Sequence, residues 1–113
     1  MNIAELAEQS AVRIGERMVL HFEGRQFTNW QLLDQARRLQ SGFGRLGLRK
    51  GDIVTMCMMN DPVVYSIFQG IFRSGATVLP AMFTLTEPEI RYILMDSKSR
   101  GVVTDAANLA KIR

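Results

Sequence analysis

Two glycine-rich segments have the residue types that could hold a phosphate group. Residues 42–47 (GFGRLG) satisfy the pattern G-x-G-x-x-G, whose backbone N–H groups bind pyrophosphate at the start of a helix. That chemistry needs the glycines between a strand and a helix. Here the apolar periodicity places them at the end of a helix that begins near Thr28. We therefore interpret these glycines as close helix packing followed by a helix stop.

The second segment, residues 70–77 (GIFRSGAT), resembles the phosphate loop G-x-x-x-x-G-K-[ST]. Ala76 stands where that loop requires a lysine, whose charge holds the β- and γ-phosphates. The predicted order is also reversed, because a helix precedes the segment and a strand follows it. Gly75 is predicted to end the helix, and the segment is not predicted to bind a nucleotide.

Side chains that act as bases, nucleophiles or metal ligands are scarce. His21 is the single histidine and Cys57 the single cysteine, so together they cannot supply a zinc site of three or four ligands. His21 lies in a strand-like alternation, and Cys57 lies among methionines in an apolar run, as expected for a small core residue. From the residues alone we assign no catalytic, cofactor-binding or metal-binding residue.

The basic residues do not form a block that indicates nucleic-acid binding. The formal net charge is +3, and the cations near the long predicted helix are interrupted by Asp34 and Asp52. No aromatic side chains are interleaved with them, as a nucleic-acid surface would require. We interpret them as solvated helix charges; they are Arg37, Arg38, Arg45, Arg49 and Lys50.

Length and composition fit one ordinary globular unit. The chain has 113 residues, of which 47% are hydrophobic and 22% charged, enough for one modest core. The longest uncharged stretch, residues 74–86, has 13 residues and contains Pro80, so it is too short to span a bilayer. The start lacks a signal-peptide pattern, and a lone cysteine forms no internal disulfide. We expect a cytoplasmic protein.

The first half of the chain predicts a helix, a hairpin and a longer helix. Residues 3–14 have helical spacing with a cap at Asn2, and residues 18–27 read as a hairpin around Gly24. Thr28 and Gln31 match a capping box that opens a helix over residues 29–46. The predicted apolar stripe of the first helix is Ile3, Leu6, Ala7, Ser10 and Ile14. The stripe of the second is Leu32, Ala36, Leu39, Phe43 and Leu46.

The second half predicts strands in alternation with helices. Strands are expected over residues 53–59, 77–79 and 101–104, and a weak terminal helix over 106–112. Asp61 is predicted to cap the next helix, with a proline at its first position, and Thr86 with Glu89 forms a second capping box. This βαβ order predicts the α/β class. The expected architecture is a partial parallel, Rossmann-like sheet flanked by helices, with a short N-terminal hairpin.

The order of several short motifs resembles the AMP-forming acyl-CoA synthetases of the adenylate-forming ligase superfamily. The resemblance runs from about residue 3 to 105, and each motif is weak by itself. The motifs are residues 22–28 (FEGRQFT), 46–54 (LGLRKGDIV), Asn60, 75–80 (GATVLP), 85–86 (LT) with Glu89, 92–97 (YILMDS) and 102–105 (VVTD). Asn60 and residues 80–86 match family positions, where we expect structural roles.

The resemblance implies an enzyme that activates a carboxylate with ATP and Mg²⁺ to an acyl-adenylate and then passes the acyl group to coenzyme A. It also implies that residues 1–113 are the N-terminal portion of the large domain, an incomplete domain. The family's phosphate loop, ribose-binding aspartate and catalytic lysine have no counterpart here. We therefore expect the chain to be inactive in isolation, with no bound cofactor. The carboxylic acid would bind only the full-length enzyme.

Two alternatives from other classes stay open at this point. One is a free-standing, flavodoxin-like α/β binding module that uses a crevice at the strand ends. The other is a non-enzymatic protein that assembles through its sheet edge. For the incomplete domain that the ligase resemblance implies, a partial sheet leaves backbone groups unpaired along an edge, so we expect self-association.

Overall fold

The computed structural model describes residues 3–112, in which helices and strands alternate along the chain. The elements are α1 (Ile3–Ile14), β1 (Met18–Phe22), β2 (Arg25–Thr28), α2 (Asn29–Arg45), β3 (Ile53–Cys57), α3 (Val63–Arg73), β4 (Thr77–Pro80), α4 (Glu87–Ser97), β5 (Gly101–Thr104) and α5 (Leu109–Ile112). The α/β class is confirmed. The cap predicted at Asn2 lies outside the described residues.

Within residues 3–112 the main sheet has three parallel strands in the order β4-β3-β5. Thr55 at the centre of β3 pairs with Leu79 of β4 and with Val102 of β5. The chain moves from β3 to β4 through α3 and then returns across β3 to β5 through α4. Because such crossovers are right-handed, the opposite directions of travel place α3 and α4 on opposite faces of the sheet.

Strand β3 is buried on both faces. Val54 and Met56 belong to a core cluster with Ile67, Ile71 and Ala76 on the α3 side. Thr55 and Cys57 alternate with them along the strand and are fully buried; Thr55 Oγ1 lies 2.6 Å from the hydroxyl of Ser99, just after α4. A strand covered on both faces needs apolar residues at nearly every position, which explains the continuous run.

The N-terminal hairpin is a separate antiparallel pair of β1 and β2. Glu23 and Gly24 form its turn with φ values of 48° and 78°. Positive φ at both central residues is the signature of a type I′ turn, whose twist matches that of the strands. The hairpin predicted around Gly24 is confirmed.

Helix α2 begins as predicted, but the end of its predicted apolar stripe is not buried. Thr28 Oγ1 accepts from the backbone N–H of Gln31 at 3.1 Å, and the Gln31 side chain accepts from the Thr28 N–H at 2.8 Å. Gly47, with φ of 93°, ends the helix. Leu46 is 82% exposed, so its assignment to the buried stripe is wrong. The turn carries Leu48 to the core in its place, and the Leu48 N–H bonds to Phe43 O at 3.0 Å.

Gly42 and Gly44 do not provide close packing. A Cβ added at Gly42 or Gly44 would meet nothing within 4 Å, so this part of the prediction is wrong. The close contact lies instead at Gly70 of α3, where an added Cβ would come within 3.0 Å of Leu39 Cβ and 3.3 Å of Phe43. The segment predicted as a helix followed by a stop, residues 70–77, does run from α3 through Gly75 into β4.

Helix α1 buries a different face from the predicted one. Ala4 and Ala11 are buried, whereas Ile3 and Leu6 are more than half exposed. Glu8 lies on the same face as the two alanines, because residues three and four apart share one side of a helix. The face is chosen by an ion pair and by small side chains that permit close approach, and hydrophobicity alone does not reveal that choice.

Strand β3 and helix α5 are shorter than predicted, and the start of α4 lacks the predicted capping bond. Strand β3 ends at Cys57 and α5 begins only at Leu109. Helix α4 starts after Thr86, but the Thr86 hydroxyl donates to the Glu89 carboxylate at 2.8 Å and makes no cap bond. The second capping box is therefore wrong, because the charged oxygen is the stronger acceptor.

Candidate functional site

Ligands of open α/β sheets bind beyond the carboxyl ends of the strands, where neighbouring strands lead to helices on opposite faces. In this sheet β3 and β4 meet that condition. We call the segments that follow the three parallel strands the carboxyl edge. It consists of residues 58–61 after β3, 81–85 after β4 and 105–111 after β5.

Asp105 holds two of these segments together. Its Oδ2 accepts from the Met59 N–H at 2.8 Å, and its Oδ1 accepts from the N–H and the side-chain amide of Asn108 at 3.0 and 2.7 Å. These donors, the Met59 N–H first, hold the pKa of the Asp105 carboxyl below its usual value. The carboxylate is therefore ionised and its acceptor sites are occupied, as suits a structural anchor rather than a general base.

Cys57 and Lys111 bring no free nucleophile to the carboxyl edge. Cys57 is fully buried, and this burial raises the pKa of its thiol. Thr104 Oγ1 donates to the Cys57 carbonyl at 2.7 Å, and Lys111 Nζ donates to the Phe83 carbonyl at 2.6 Å. The thiol stays neutral at physiological pH, in agreement with its interpretation as a core residue.

Exposed apolar side chains form the outer part of the carboxyl edge. Met59, Met82 and Phe83 are 49%, 68% and 37% exposed. The backbone beneath them is fixed, since the Ala81 N–H bonds to Met56 O at 2.8 Å and the Leu85 N–H closes a turn on Met82 O. This surface can pack against an apolar group, but it presents no pair of groups for proton transfer or nucleophilic attack.

The described residues do not fit a nucleoside triphosphate. A phosphate at a helix start needs unpaired N–H groups and no nearby acid. The start of α2 is closed by its capping box, and the start of α3 by Asp61, whose Oδ1 accepts from the Val63 N–H at 3.0 Å. Glu87 and Glu89 occupy the first turn of α4. The cap position of α3 is Pro62, which makes no side-chain cap bond, so the prediction of a cap at Asp61 with the proline at the first helical position is wrong by one residue.

The same residues do not fit a divalent metal. Within residues 3–112 no three His, Cys, Asp or Glu side chains lie close enough to hold an ion. The carboxylates of Asp105 and Asp61 are already bonded to backbone N–H groups. This part of the chain therefore lacks the ligands that would hold Mg²⁺ beside the phosphates of ATP.

The other candidate side chains lie away from the carboxyl edge. His21 is exposed on β1. Glu8 of α1 pairs with both Arg37 of α2 and Arg73 of α3, at 2.7 Å for Arg37, while Arg38 pairs with Asp34 on its own helix. A hollow of about 630 Å³ lies at the start of β4, at the opposite end of the strand, and is lined in part by Lys50, Arg73 and Gly75.

Sequence reasoning missed the two charged residues that matter most for the structure. Glu8 carries no local pattern, because both of its partners are distant in the chain. Asp105 does carry one, since an aspartate directly after a strand with Asn108 three residues later is typical of a side chain that bonds the backbone of a turn.

None of the helices in residues 3–112 is long and apolar enough to cross a membrane.

The parallel sheet and its carboxyl edge define an α/β protein of the kind that binds ligands at strand ends, and comparisons identify the family. Residues 7–113 match the family described as AMP-binding enzyme. A medium/long-chain-fatty-acid–CoA/3-oxocholest-4-en-26-oate–CoA ligase of Mycobacterium marinum is 31% identical over 103 residues, which are 91% of this chain and 19% of that enzyme. The fatty acid–[acyl-carrier-protein] ligase ScoC of Streptomyces coeruleorubidus is 35% identical over 78 residues, which are 69% of this chain and 15% of that protein.

The chain belongs to the AMP-binding enzyme family, which confirms the predicted place among the adenylate-forming ligases. A solved structure agrees. The inhibitor-bound N-terminal domain of FACL13 from Mycobacterium tuberculosis superposes with a TM-score of 0.89 at 29% identity, covering 98% of this chain and 28% of that chain. The chain thus spans about a fifth of the length of the curated relatives it matches.

Proposed function

We propose that this chain is the N-terminal portion of the large domain of an ATP-dependent acyl-CoA ligase. The observation that carries the proposal is the family match over residues 7–113, together with relatives named as ligases of fatty acids. In the proposed whole enzyme a carboxylic acid reacts with ATP to give an acyl-adenylate and pyrophosphate. The acyl group then passes to the thiol of coenzyme A.

The contribution of these residues to that reaction is structural. The carboxyl edge has bonded carboxylates and an apolar outer surface, and the thiol of Cys57 just before it is buried and neutral. This edge can therefore support neighbouring polypeptide without taking part in phosphoryl chemistry. Charge stabilisation of the reacting phosphates is most of what adenylate formation needs. We therefore propose that the chain is inactive by itself and that the acid, ATP, Mg²⁺ and coenzyme A bind only the complete enzyme.

Isotope exchange tests the proposed inactivity. The purified chain is incubated with ATP, Mg²⁺, labelled pyrophosphate and, in turn, acetate, octanoate, palmitate and benzoate. We expect no acid-dependent incorporation of label into ATP above that of the heat-denatured chain. Exchange that depends on one of these acids would show that residues 1–113 contain a working adenylation site, and would overturn the proposal.

The reading frame beyond Arg113 tests the proposed parent enzyme. We expect it to encode a Ser/Thr/Gly-rich loop that ends in Pro-Lys-Gly, followed by the rest of the large domain. A frame without that loop would contradict the ligase assignment for this gene. A cytoplasmic location stays a prediction, supported by the free, buried thiol of Cys57, and cell fractionation checks it.

Self-association is a second proposal, and the sheet itself favours it. Among residues 3–112 the parallel sheet has three strands, of which β4 and β5 lie at the edges. Unpaired N–H and C=O groups along such an edge are a template for another strand. Concentration-dependent mass from light scattering is the required observation.

A further inference from the structure

Helix α1 packs on the rest of the chain through two small side chains and one charged side chain. Its buried residues are Ala4 and Ala11, and alanine side chains bury little apolar area. Glu8, which lies between them, accepts from Arg37 Nε and Nη2 at 3.1 and 2.7 Å and also pairs with Arg73. We call these three charged side chains the α1 clamp, since they join α1 to α2 and α3 together.

The chain directly after α1 is fixed to the start of α2. Gly15 follows the helix with φ of 72°, and its carbonyl accepts from the Asn29 side chain at 3.0 Å. The Arg17 N–H donates to Asn29 Oδ1 at 2.8 Å, and the Thr28 hydroxyl donates to Glu16 at 2.7 Å. Because the segment beyond Gly15 is held in this way, Gly15 is the position at which the backbone can turn when α1 moves.

The docked position of α1 leaves polar atoms of α3 unpaired. Gln69 is 7% exposed, and neither its Oε1 nor Arg73 Nη1 has a hydrogen-bond partner among residues 3–112. Gln69 precedes Arg73 by one turn, so both lie on the side of α3 where Arg73 meets Glu8. A buried polar atom without a partner is unfavourable. Movement of α1 away from α3 lets water reach these atoms and so removes part of that penalty.

We propose that α1 is a flap, held closed by the α1 clamp, that turns about Gly15 and opens while the parallel sheet stays folded. Opening frees Arg37 and Arg73 and uncovers the buried Leu33, which lines a groove with Ala11 of α1. The flap does not depend on the proposed ligase activity, because the contacts that hold it lie within residues 3–112.

Trp30 reports the position of α1. It is the single tryptophan of the chain, and its Nε1 donates to the Ala11 carbonyl at 3.3 Å. When α1 turns away, Nε1 exchanges this acceptor for water, and the fluorescence emission moves to longer wavelength. Cys57 is buried in β3, so the rate at which its thiol is labelled reports the sheet separately.

Hydrogen exchange of the backbone amides tests the flap. In the wild type we expect amides of α1 to exchange at least about tenfold faster than those of β3, since a local opening needs less free energy than global unfolding. Glu8→Gln should speed exchange in α1 about a further tenfold through loss of charge-assisted bonds, and should move the Trp30 emission to longer wavelength. Exchange in β3 and labelling of Cys57 should not change. Glu5→Gln is the matched control on an exposed position of α1 and should leave α1 exchange unchanged.

Two further variants keep the test decisive if Glu8→Gln fails to fold. Arg37→Gln removes the same bonds from the side of α2, so it should also speed exchange in α1, and adding it to Glu8→Gln should change little. Gln69→Met replaces the unpaired oxygen by apolar atoms of similar size. It should slow exchange in α1 severalfold, an effect that general destabilisation does not produce. Circular dichroism establishes that each variant is folded.

The outcomes that overturn the proposal are specific. Equal exchange in α1 and β3 of the wild type, with an equal change in both on Glu8→Gln, would show that α1 leaves only when the sheet unfolds. Separate opening of α1 that neither Glu8→Gln nor Arg37→Gln accelerates would overturn the clamp. Exchange in α1 that Gln69→Met fails to slow would overturn the part assigned to the unpaired oxygen.

Discussion

The best-bonded charged side chain of α1 holds helices of the same chain together. Glu8 pairs with Arg37 and Arg73 and so joins α1 to α2 and α3. The Arg37 hydrogen bond first, and then Arg73, lower the pKa of the Glu8 carboxyl against the opposing effect of partial burial. Arg73 also donates to the Gln40 side chain at 3.2 Å. A carboxylate held in this way stabilises the fold and is poorly suited to proton transfer.

The lowered pKa of the Asp105 carboxyl predicts how the stability of the fold depends on pH. Its folded pKa lies below the ordinary value of 3.8, so its contribution is complete above that value and is lost as the pH falls through the folded pKa. Between about pH 5 and about pH 3, we expect the free energy of unfolding to fall less in Asp105→Asn than in the wild type. Urea unfolding across that range measures it.

The control for this measurement is Asp96→Asn, which removes the same charge from an exposed position on α4. It should leave the acid dependence as in the wild type. Equal acid dependence in Asp105→Asn and the wild type would contradict the role of Asp105 as the anchor of the carboxyl edge.

The close contact at Gly70 predicts that one added methyl group lowers the free energy of unfolding markedly. In Gly70→Ala the new Cβ lies 3.0 Å from Leu39 Cβ and 3.4 Å from Ala36 O, atoms that move only if α2 moves. We expect a loss of about 1–2 kcal/mol in the free energy of unfolding, the usual cost of overpacking. Gly42→Ala meets open space and should gain about 0.5–1 kcal/mol from helix propensity. Equal effects in the two variants would contradict the close contact between α2 and α3.

At the scale of elements, two similar sequence patterns produce different helix starts. The Thr28 hydroxyl accepts a hydrogen bond from the Gln31 N–H. The Thr86 hydroxyl instead donates to the Glu89 carboxylate and makes no bond to the backbone at the start of α4. Thr28 also donates to Glu16 at 2.7 Å, which ties the helix start to the segment before β1. The pattern Thr-x-x-Glu/Gln alone does not distinguish these arrangements.

The two threonines predict unequal losses. Thr28→Ala should lower the free energy of unfolding by about 1–2 kcal/mol, because a cap bond is lost. Thr86→Ala should cost about 0.5 kcal/mol or less, since an exposed hydroxyl–carboxylate bond is replaced by water. Chemical unfolding of both variants measures the difference. A loss for Thr86→Ala that matches that of Thr28→Ala would indicate a working cap at α4.

For the whole molecule, burial of the central strand makes Cys57 a reporter of unfolding. Its side chain is inaccessible, so a thiol reagent reacts only after the sheet opens. We expect labelling by an aromatic disulfide to be slowed roughly a thousandfold or more relative to the unfolded chain. The rate should rise with urea in parallel with the fall in stability.

An exposed thiol supplies the control. In the double variant Cys57→Ser with Ser41→Cys, the reactive group lies on the outer side of α2, and labelling should be fast without urea. Fast, urea-independent labelling of the wild-type Cys57 would show that the sheet opens locally and that the three strands do not form one cooperative unit.

The element order, the α/β class and the first capping box were predictable because each depends on neighbours within a few residues. The spacing of apolar residues along the chain distinguishes strands from helices. The capping partner of Thr28 lies only three residues away in the sequence. The ligase resemblance was also available from short ordered motifs. The same local rules argue against a phosphate loop at residues 42–47 and 70–77, and the element order on which that argument depends is confirmed, since a helix precedes each segment.

Tertiary structure decided everything that depends on residues distant in the chain. The buried face of α1 is set by Glu8 with Arg37 and Arg73, partners that no sequence period connects. Which glycine touches a neighbour is set by the crossing of α2 and α3, so Gly70 is packed and Gly42 is open. The placement of β3 between β4 and β5 likewise follows from packing. The sequence therefore determined the order of the helices and strands and the family. Long-range contacts determined which helix faces are buried, which strands lie at the sheet edges and which groups bond across the carboxyl edge.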